Sequence, residues 1–166
     1  MRRKHILVSL ALLICLGLTG CKSTDYNDAL KLEESKDYSS AALIYEELGE
    51  YKDSKEHLEY CHTMINVIEE YNVARAAAEE KNAELDTAIS HAEALILEKE
   101  PALDETLIPA LETAVSEAKA KKQSIPEIPE TENEISSVND VLNTIDYSEA
   151  LSNLSDKQAA LERSIK

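Results

Sequence analysis

Hydrophobic residues recur every three or four positions along most of this chain, which is the periodicity of one buried face of an α-helix. In the first part of the pattern, this spacing predicts one helix over about residues 26–35 and a second over residues 38–48. Asp25 is expected to cap the first helix. Residues 36–37 interrupt the pattern, and Gly49 follows the second helix, where glycine adopts the left-handed C-terminal cap without strain. The pattern therefore predicts a helical hairpin.

A long uninterrupted stretch follows, because neither Gly nor Pro occurs between residues 53 and 98. Apolar residues continue along it at helical spacing, and Asp53 is the candidate for its N-terminal cap. The stretch is either one very long helix or two helices joined near residues 81–82. We favour one helix, since nothing near Asn82 is a strong helix breaker and Pro101 is the first residue that ends the pattern.

Three further helices are predicted in the C-terminal part, over about residues 106–124, from Thr131 onwards and over about residues 147–165. Pro109 falls in the first turn of the first of these helices, where its missing N–H costs nothing. Thr131 and Glu134 have the spacing of a capping box, in which each residue satisfies a free backbone N–H of the other.

The segment over residues 125–130 contains two Ile-Pro pairs. Because proline disfavours the helical conformation in the residue before it, this segment is predicted to be extended. Ile125 and Ile128 are expected to pack on the helices, so that the segment forms a strap across them.

The composition favours a purely helical fold. Hydrophobic residues make up 43% of the chain, which has three Gly and neither Trp nor Phe. No window shows the alternation of β-branched residues that a strand requires. We therefore expect an all-α fold in two parts. Residues 25–80 would contain the hairpin and the first half of the long helix, and residues 81–166 would form an antiparallel helical bundle.

Residues 26–48 resemble one tetratricopeptide repeat, and the similarity extends to about residue 60. It rests on small residues in both helices, an apolar residue one turn further on and an aromatic residue in the second helix, namely Ala29, Ala41, Leu32 and Tyr45. The resemblance implies a helix–turn–helix unit that needs the following helix to close its core. The chain departs from the family pattern at Asp25 and Asp28, where large apolar residues are preferred, and at Gly49.

An internal near-repeat marks the second part, because residues 85–92 and 111–118 are identical at five of eight positions. Small Ala residues at matched places on two successive helices favour close antiparallel packing. Residues 85–151, with the apolar residues of the predicted third helix, resemble the FIVAR type of three-helix module found on bacterial surface proteins. The resemblance implies an antiparallel bundle with a role at the cell surface.

The first residues of the chain have the layout of a secretory signal. Arg2, Arg3 and Lys4 precede an apolar run over residues 6–18, which is too short to span a bilayer, since that takes roughly 20 residues. Leu18-Thr19-Gly20-Cys21 then resembles the lipobox of bacterial lipoproteins, in which an aliphatic residue, a small residue and Gly or Ala precede Cys.

The lipobox resemblance implies that residues 1–20 are removed and that Cys21 carries a diacylglyceryl group on its sulfur. Residues 21–24 would then be a short tether, and the protein would lie at the extracytoplasmic face of the cell membrane. Lys22 follows the cysteine, which would allow sorting to the outer membrane if the source has two membranes. The alternative is an ordinary secretory signal that ends near a cysteine.

Acidic residues dominate the charge. The chain has 33 Asp and Glu against 17 Lys and Arg, a formal net charge of −16. The charged residues of the signal are all basic, so its removal would make the net charge more negative. Phosphate contacts need clustered Lys and Arg, so nucleic acid is excluded as a partner, and anionic lipid head groups would repel the body of the protein. The acidity serves solubility, or it attracts cations or a basic partner.

The residues provide little for catalysis. His57, Cys61 and His62 form the only cluster that resembles a ligand set, but zinc needs three or four ligands, so we interpret Cys61 as a buried structural residue. Paired glutamates are expected on solvated helix faces, and the chain has neither a phosphate-binding Gly loop nor a serine in a nucleophile-elbow context. We therefore expect no catalytic residue, no metal and no cofactor, and we do not expect an enzyme.

Two functions remain for such a protein. The first is a non-catalytic interaction module for a protein, peptide or cell-wall ligand, with exposed rings of Tyr26, Tyr38, Tyr45 and Tyr51 as anchors in a groove. The second is a structural spacer or assembly element of a cell-envelope complex. The two differ in an observable way, because a binding module should expose these tyrosines in a concavity and a spacer should bury them.

Overall fold

A computed structural model describes residues 22–98 and 104–165 of the chain. Within these residues the fold is all-α, with six helices and no strand, as the periodicity predicted. Residues 22–34 are helical and are called α1. The other helices are α2 (Tyr38–Leu48), α3 (Ser54–Leu97), α4 (Leu107–Lys121), α5 (Glu132–Asn143) and α6 (Ser148–Ile165).

The chain divides into two compact units, Met1–Glu69 and Glu70–Lys166, which we call unit 1 and unit 2. The division falls within α3, whereas the sequence pattern led us to place a boundary between residues 80 and 81.

The turns of unit 1 follow from a few residues. Residues 22–24, assigned to a tether, are already helical, so Asp25 lies inside α1 and the prediction that it caps this helix is wrong. Lys36 ends α1 with a positive φ of 65°. Asp37 caps α2 by accepting a hydrogen bond from the Ser40 N–H at 3.1 Å. Gly49 ends α2 with a φ of 58°, the left-handed conformation that glycine adopts readily.

The core of unit 1 combines small residues with large rings. Ala29 of α1 and Ala41 of α2 are fully buried, as is Cys61 on α3. Small side chains let helices approach closely, and larger side chains fill the remaining space. The buried residues of unit 1 are Tyr26, Ala29, Tyr38, Ala41, Ala42, Tyr45, Leu48, Ser54, Cys61 and Met64.

The long helix α3 is continuous from Ser54 to Leu97, which confirms the single helix that the sequence favoured. The part of α3 in unit 2 buries Leu85, and α4 buries Leu111, so the first residues of both near-repeats lie in the core. Helices α4 and α6 pack against each other. The buried residues of unit 2 are Tyr71, Ala74, Ala78, Leu85, Ile89, Ala92, Leu111, Ala114, Val115, Ala118, Ile135, Leu142, Ile145, Tyr147, Ala150, Leu154 and Leu161.

Residues 122–129 have no helical structure and include most of the segment over residues 125–130 that was predicted to be a strap; we call residues 122–129 the strap. Side chains of α3 hold its backbone, because the Tyr71 hydroxyl donates to the Pro126 carbonyl at 2.7 Å. Ile125 is half-buried, as expected. Ile128, however, is 42% exposed, so the prediction that it packs on the helices is wrong. Pro126 and Pro129 flank this part of the strap and favour its extended backbone.

The starts of α5 and α6 are fixed by local hydrogen bonds. The capping box of α5 is confirmed, since Thr131 accepts from the Glu134 N–H and the Glu134 carboxylate accepts from the Thr131 N–H. At the start of α6 the Asp146 carboxylate accepts from the Ser148 N–H at 2.9 Å, which lowers the pKa of Asp146. Pro109 lies in the first turn of α4, as predicted.

Candidate functional site

Of the predicted site residues, the structure describes the four tyrosines but not Cys21. Cys21, the predicted lipidation site, and the signal over residues 1–20 lie outside the described residues. Tyr26, Tyr38 and Tyr45 are only 7%, 6% and 0% exposed, whereas Tyr51 is half-buried. The exposed rings expected of a binding groove are therefore not present at the first three positions, because these rings fill the space that alanines leave between the helices.

The rings of unit 1 pack edge to face. Tyr26 lies 6.1 Å from Tyr45 and 6.0 Å from Tyr51 between ring centroids, and Tyr38 lies 5.9 Å from Tyr60. Such pairs contribute about 0.5–1.5 kcal/mol beyond the burial of their area. The rings thus contact one another, as side chains do in a protein core, and do not form a ligand-binding surface.

A polar network accompanies these rings. Glu33 Oε2 accepts a hydrogen bond from the Tyr45 hydroxyl at 3.0 Å and lies 2.8 Å from His57 Nδ1. The imidazole of His57 stacks on the ring of Tyr45 with 5.1 Å between centroids. Burial, followed by the hydrogen bond to Glu33, raises the pKa of Tyr45 above its ordinary value. The network therefore keeps Tyr45 as a neutral donor within unit 1.

Asp53 joins the same network on the other side of His57. The Tyr26 hydroxyl donates to Asp53 Oδ1 at 2.5 Å, and His57 Nε2 lies 3.7 Å from Asp53 Oδ2. The hydrogen bond from Tyr26 lowers the pKa of Asp53, and the same bond together with burial raises the pKa of Tyr26 to about 12. The position of Asp53 before α3 predicted a helix cap, but no local signal indicated its contact with Tyr26, which lies 27 residues away in the chain.

Cys61 is fully buried in this unit, as its structural interpretation predicted. Burial raises the pKa of its thiol to about 11, so the thiol stays protonated at neutral pH and is a poor nucleophile. His57, four residues earlier, is paired with Glu33, and His62 is exposed. The three residues therefore do not form a catalytic pair or a ligand set.

Each unit has an open groove on the part of its surface that the structure describes. One, of about 310 Å³, belongs to unit 1 and is lined by Glu33, Glu56, His57 and Tyr60. The other, of about 540 Å³, belongs to unit 2 and lies where the strap meets α5; its lining residues are Pro129, Glu130, Asn133, Glu134, Ser137 and Val138. We call the second one the strap groove. No sequence motif pointed to it, because its residues are ordinary surface residues of a helix and an extended segment.

Within the described ranges, no helix is long and apolar enough to cross a membrane. The same residues contain no group of three or more His, Cys, Asp or Glu side chains arranged to hold a metal ion. Comparisons of the chain with protein-family models, curated proteins and solved structures found no match.

Proposed function

We propose that this chain is a membrane-anchored surface lipoprotein of a bacterial cell envelope, with a diacylglyceryl group on Cys21 and a non-catalytic helical body. The cationic start, the short apolar run and the four lipobox residues that end at Cys21 support the anchor. Two acyl chains on one residue give stable membrane attachment, whereas one chain gives only marginal binding.

The helical body serves as a structural or assembly element of an envelope complex. The observation that carries this choice is the burial of Tyr26, Tyr38 and Tyr45, because a binding groove built on these rings would have to expose them. Their hydroxyls are also occupied within unit 1, since those of Tyr26 and Tyr45 donate to carboxylates. Unit 1 therefore has the features of a self-contained packing unit.

A non-catalytic interaction module is the second candidate, and a different surface favours it. The strap groove of unit 2 is open and is lined by Pro129 and Val138. Ile128, which precedes Pro129, and Val141, one helical turn beyond Val138, are both exposed. Large exposed apolar residues that gather at one place are typical of interaction sites. If the protein is an interaction module, its partner contacts unit 2 and not the tyrosines of unit 1.

The state of the possible nucleophile and base supports the absence of catalysis. The Cys61 thiol is buried and held protonated by its raised pKa. The His57 ring has one nitrogen against Glu33 and the other near Asp53, so it has no nucleophile to activate.

Fractionation of cells tests the anchor. The wild-type protein and a Cys15→Ser control, which alters the apolar run but not the lipobox, should both be found in membranes and incorporate labelled fatty acid. Cys21→Ser should incorporate none, because it lacks the acceptor sulfur. Equal labelling of C21S and wild type would contradict the proposal.

Chemical iodination tests the role of the tyrosines. Tyr60, which is 41% exposed, should be modified quickly in the native protein and serves as the internal control. Tyr26, Tyr38 and Tyr45 should react only after denaturation, since reagent cannot reach them in the core. If these three tyrosines are iodinated in the folded protein as fast as Tyr60, their rings are exposed. That result would favour a binding site built on them and contradict the assembly element.

A further inference from the structure

We propose that the strap groove docks a basic, amphipathic segment of a partner protein. This inference rests on the proposed function in its interaction-module form and adds the chemistry of the partner. It is carried by three properties of unit 2, which are an exposed apolar strip, a local excess of negative charge and a backbone that is fixed before any partner arrives.

The apolar strip runs along one side of α5. Ile135 and Leu142 are buried and define the inward side of this helix. Val138 and Val141 lie three residues apart on the neighbouring side, so they share one surface. Val138 lines the groove, and Val141 is 52% exposed. From the strap, Pro129 lines the groove, so that apolar side chains come from both the strap and α5, and the preceding residue Ile128 is exposed.

From residue 123 onwards, the strap and α5 themselves carry charges of a single sign. Residues 123–156 contain no Lys, Arg or His, and every charged side chain among them is acidic. Glu130 and Glu134 line the groove itself, and Glu127 is an exposed residue of the strap. A partner segment with Lys or Arg on both sides of an apolar face would complement this surface, and complementary charge speeds association and fixes orientation.

The groove is fixed by hydrogen bonds from other elements of unit 2. Asn82 Nδ2 donates to the Gln123 carbonyl at 3.1 Å, and the Tyr71 hydroxyl donates to the Pro126 carbonyl at 2.7 Å. The capping box of Thr131 and Glu134 fixes the start of the other wall. A preformed surface loses little conformational freedom on binding, which favours affinity.

Charge also argues against the other occupants. A second copy of the chain would bring a net charge of −16, and anionic lipid would repel the groove. The basic cluster at the end of α4 is already engaged in ion pairs within unit 2. These pairs join Lys119 to Glu93, Lys121 to Glu149 and Lys122 to Asp86. A basic segment of a different protein therefore fits this surface best.

Fluorescence anisotropy with the full chain tests the inference. The probe is a labelled peptide of Leu and Lys with a helical amphipathic pattern, and the comparison peptide has Glu in place of every Lys. We expect the basic peptide to bind with an affinity that falls as salt rises, and the acidic peptide to show no binding. Equal binding of both peptides, or no binding of the basic one, would overturn the inference.

A matched pair of variants locates the binding. Val141→Lys places a charge on α5 one helical turn beyond Val138 of the groove, and Val73→Lys places the same charge on α3, at a residue that is 68% exposed. The V141K variant should weaken the basic peptide about tenfold or more, equivalent to about 1.4 kcal/mol, while V73K should change its affinity less than about twofold, an effect within the usual range for surface substitutions. Equal losses in both variants would show binding by net charge alone and would contradict a groove.

The same variants separate this inference from the proposed function. Both valines are exposed, so circular dichroism should report an unchanged helical fold in V141K and V73K. Fatty-acid labelling of Cys21 should also be unchanged in both. Loss of peptide binding in wild type together with normal labelling would defeat the docking site alone, whereas absent labelling with groove-dependent binding would defeat the lipoprotein assignment alone.

Discussion

The two units use tyrosine in different ways. In unit 1, buried rings pack on one another and their hydroxyls meet carboxylates of α1 and of the start of α3, as in the pair of Tyr45 and Glu33. In unit 2, the core is mostly aliphatic and alanine, and Tyr71 and Tyr147 direct their hydroxyls to the strap. Tyrosine thus fastens helices to one another in unit 1 and fastens a non-helical segment to helices in unit 2.

This difference shows how each unit satisfies the hydroxyl groups that it buries. A buried hydroxyl must keep a hydrogen bond, because leaving it unsatisfied costs about 1–3 kcal/mol. Unit 1 satisfies its hydroxyls with the side chains of Glu33 and Asp53. Unit 2 satisfies them with backbone and amide groups such as those of Gln123 and Asn82.

The largest expected effect is truncation of a ring in unit 1. Tyr45→Ala should lower the free energy of unfolding by about 3–5 kcal/mol, because a fully buried aromatic side chain leaves a cavity that its neighbours fill only in part. Leu43→Ala is the matched control on the same helix, since Leu43 is exposed. Urea unfolding followed by circular dichroism measures both, and similar midpoints for the two variants would contradict a ring-based core.

Truncation of an aliphatic residue in unit 2 should have the next largest effect. Leu85→Ala removes a fully buried side chain and should cost about 3 kcal/mol. Val73→Ala, on the same helix but exposed, should cost less than about 0.5 kcal/mol. The comparison with Tyr45→Ala is sharpened by hydrogen exchange, because each variant should speed exchange most in the unit that it alters.

Loss of one hydroxyl in unit 2 should have a smaller effect. The Tyr147 hydroxyl accepts from the Gln123 N–H at 2.9 Å and donates to Asn82 Oδ1 at 2.8 Å. Tyr147→Phe should therefore cost about 1–2 kcal/mol and loosen the strap near Gln123. Tyr51→Phe is the control, since no hydrogen bond of its hydroxyl is found in the described part of the chain. Thermal unfolding of the pair checks this, and equal Tm values would count against the strap contact.

The one expected effect that is absent at neutral pH is a loss of stability of unit 1 in alkali. Burial, followed by a hydrogen bond with Tyr60, raises the pKa of Tyr38 to about 12, and that of Tyr26 is also raised to about 12. The unfolded chain releases these protons near the ordinary value of 10, so stability is complete below pH 10 and declines as the pH rises toward 12.

Tyrosinate absorbance and unfolding midpoints between pH 9 and about 12 measure this decline. Tyr38→Phe should show a smaller loss across the window than wild type, because one of the groups with a raised pKa is gone. A midpoint that falls equally in both proteins would show that Tyr38 does not contribute to the pH dependence.

The sequence predicted local structure well where a residue acts on its own neighbours. Gly49 and the box of Thr131 and Glu134 marked helix ends because capping depends on atoms within one turn. The absence of Gly and Pro from residues 53–98 likewise predicted one helix. Asp25 misled because residues 22–24 are helical before it, and no local signal opposes the helix there.

Contacts between distant residues could not be predicted in the same way. The predicted binding role of the tyrosines assumed exposure, but whether a ring faces solvent depends on which helices pack over it. The network of Glu33, Asp53 and His57 joins residues up to 24 positions apart. Taken alone, each of these residues is typical of a solvated helix face. The tetratricopeptide and FIVAR resemblances agree with the all-α fold and stay predictions in their finer detail.

The measurement that tests the account most directly is mass spectrometry of the first residue of the protein extracted from membranes. The account predicts that the chain begins at Cys21 and that this residue carries the mass of a diacylglyceryl group. A chain that begins at another residue, or one that begins at an unmodified Cys21 and is released into the culture medium, would contradict it.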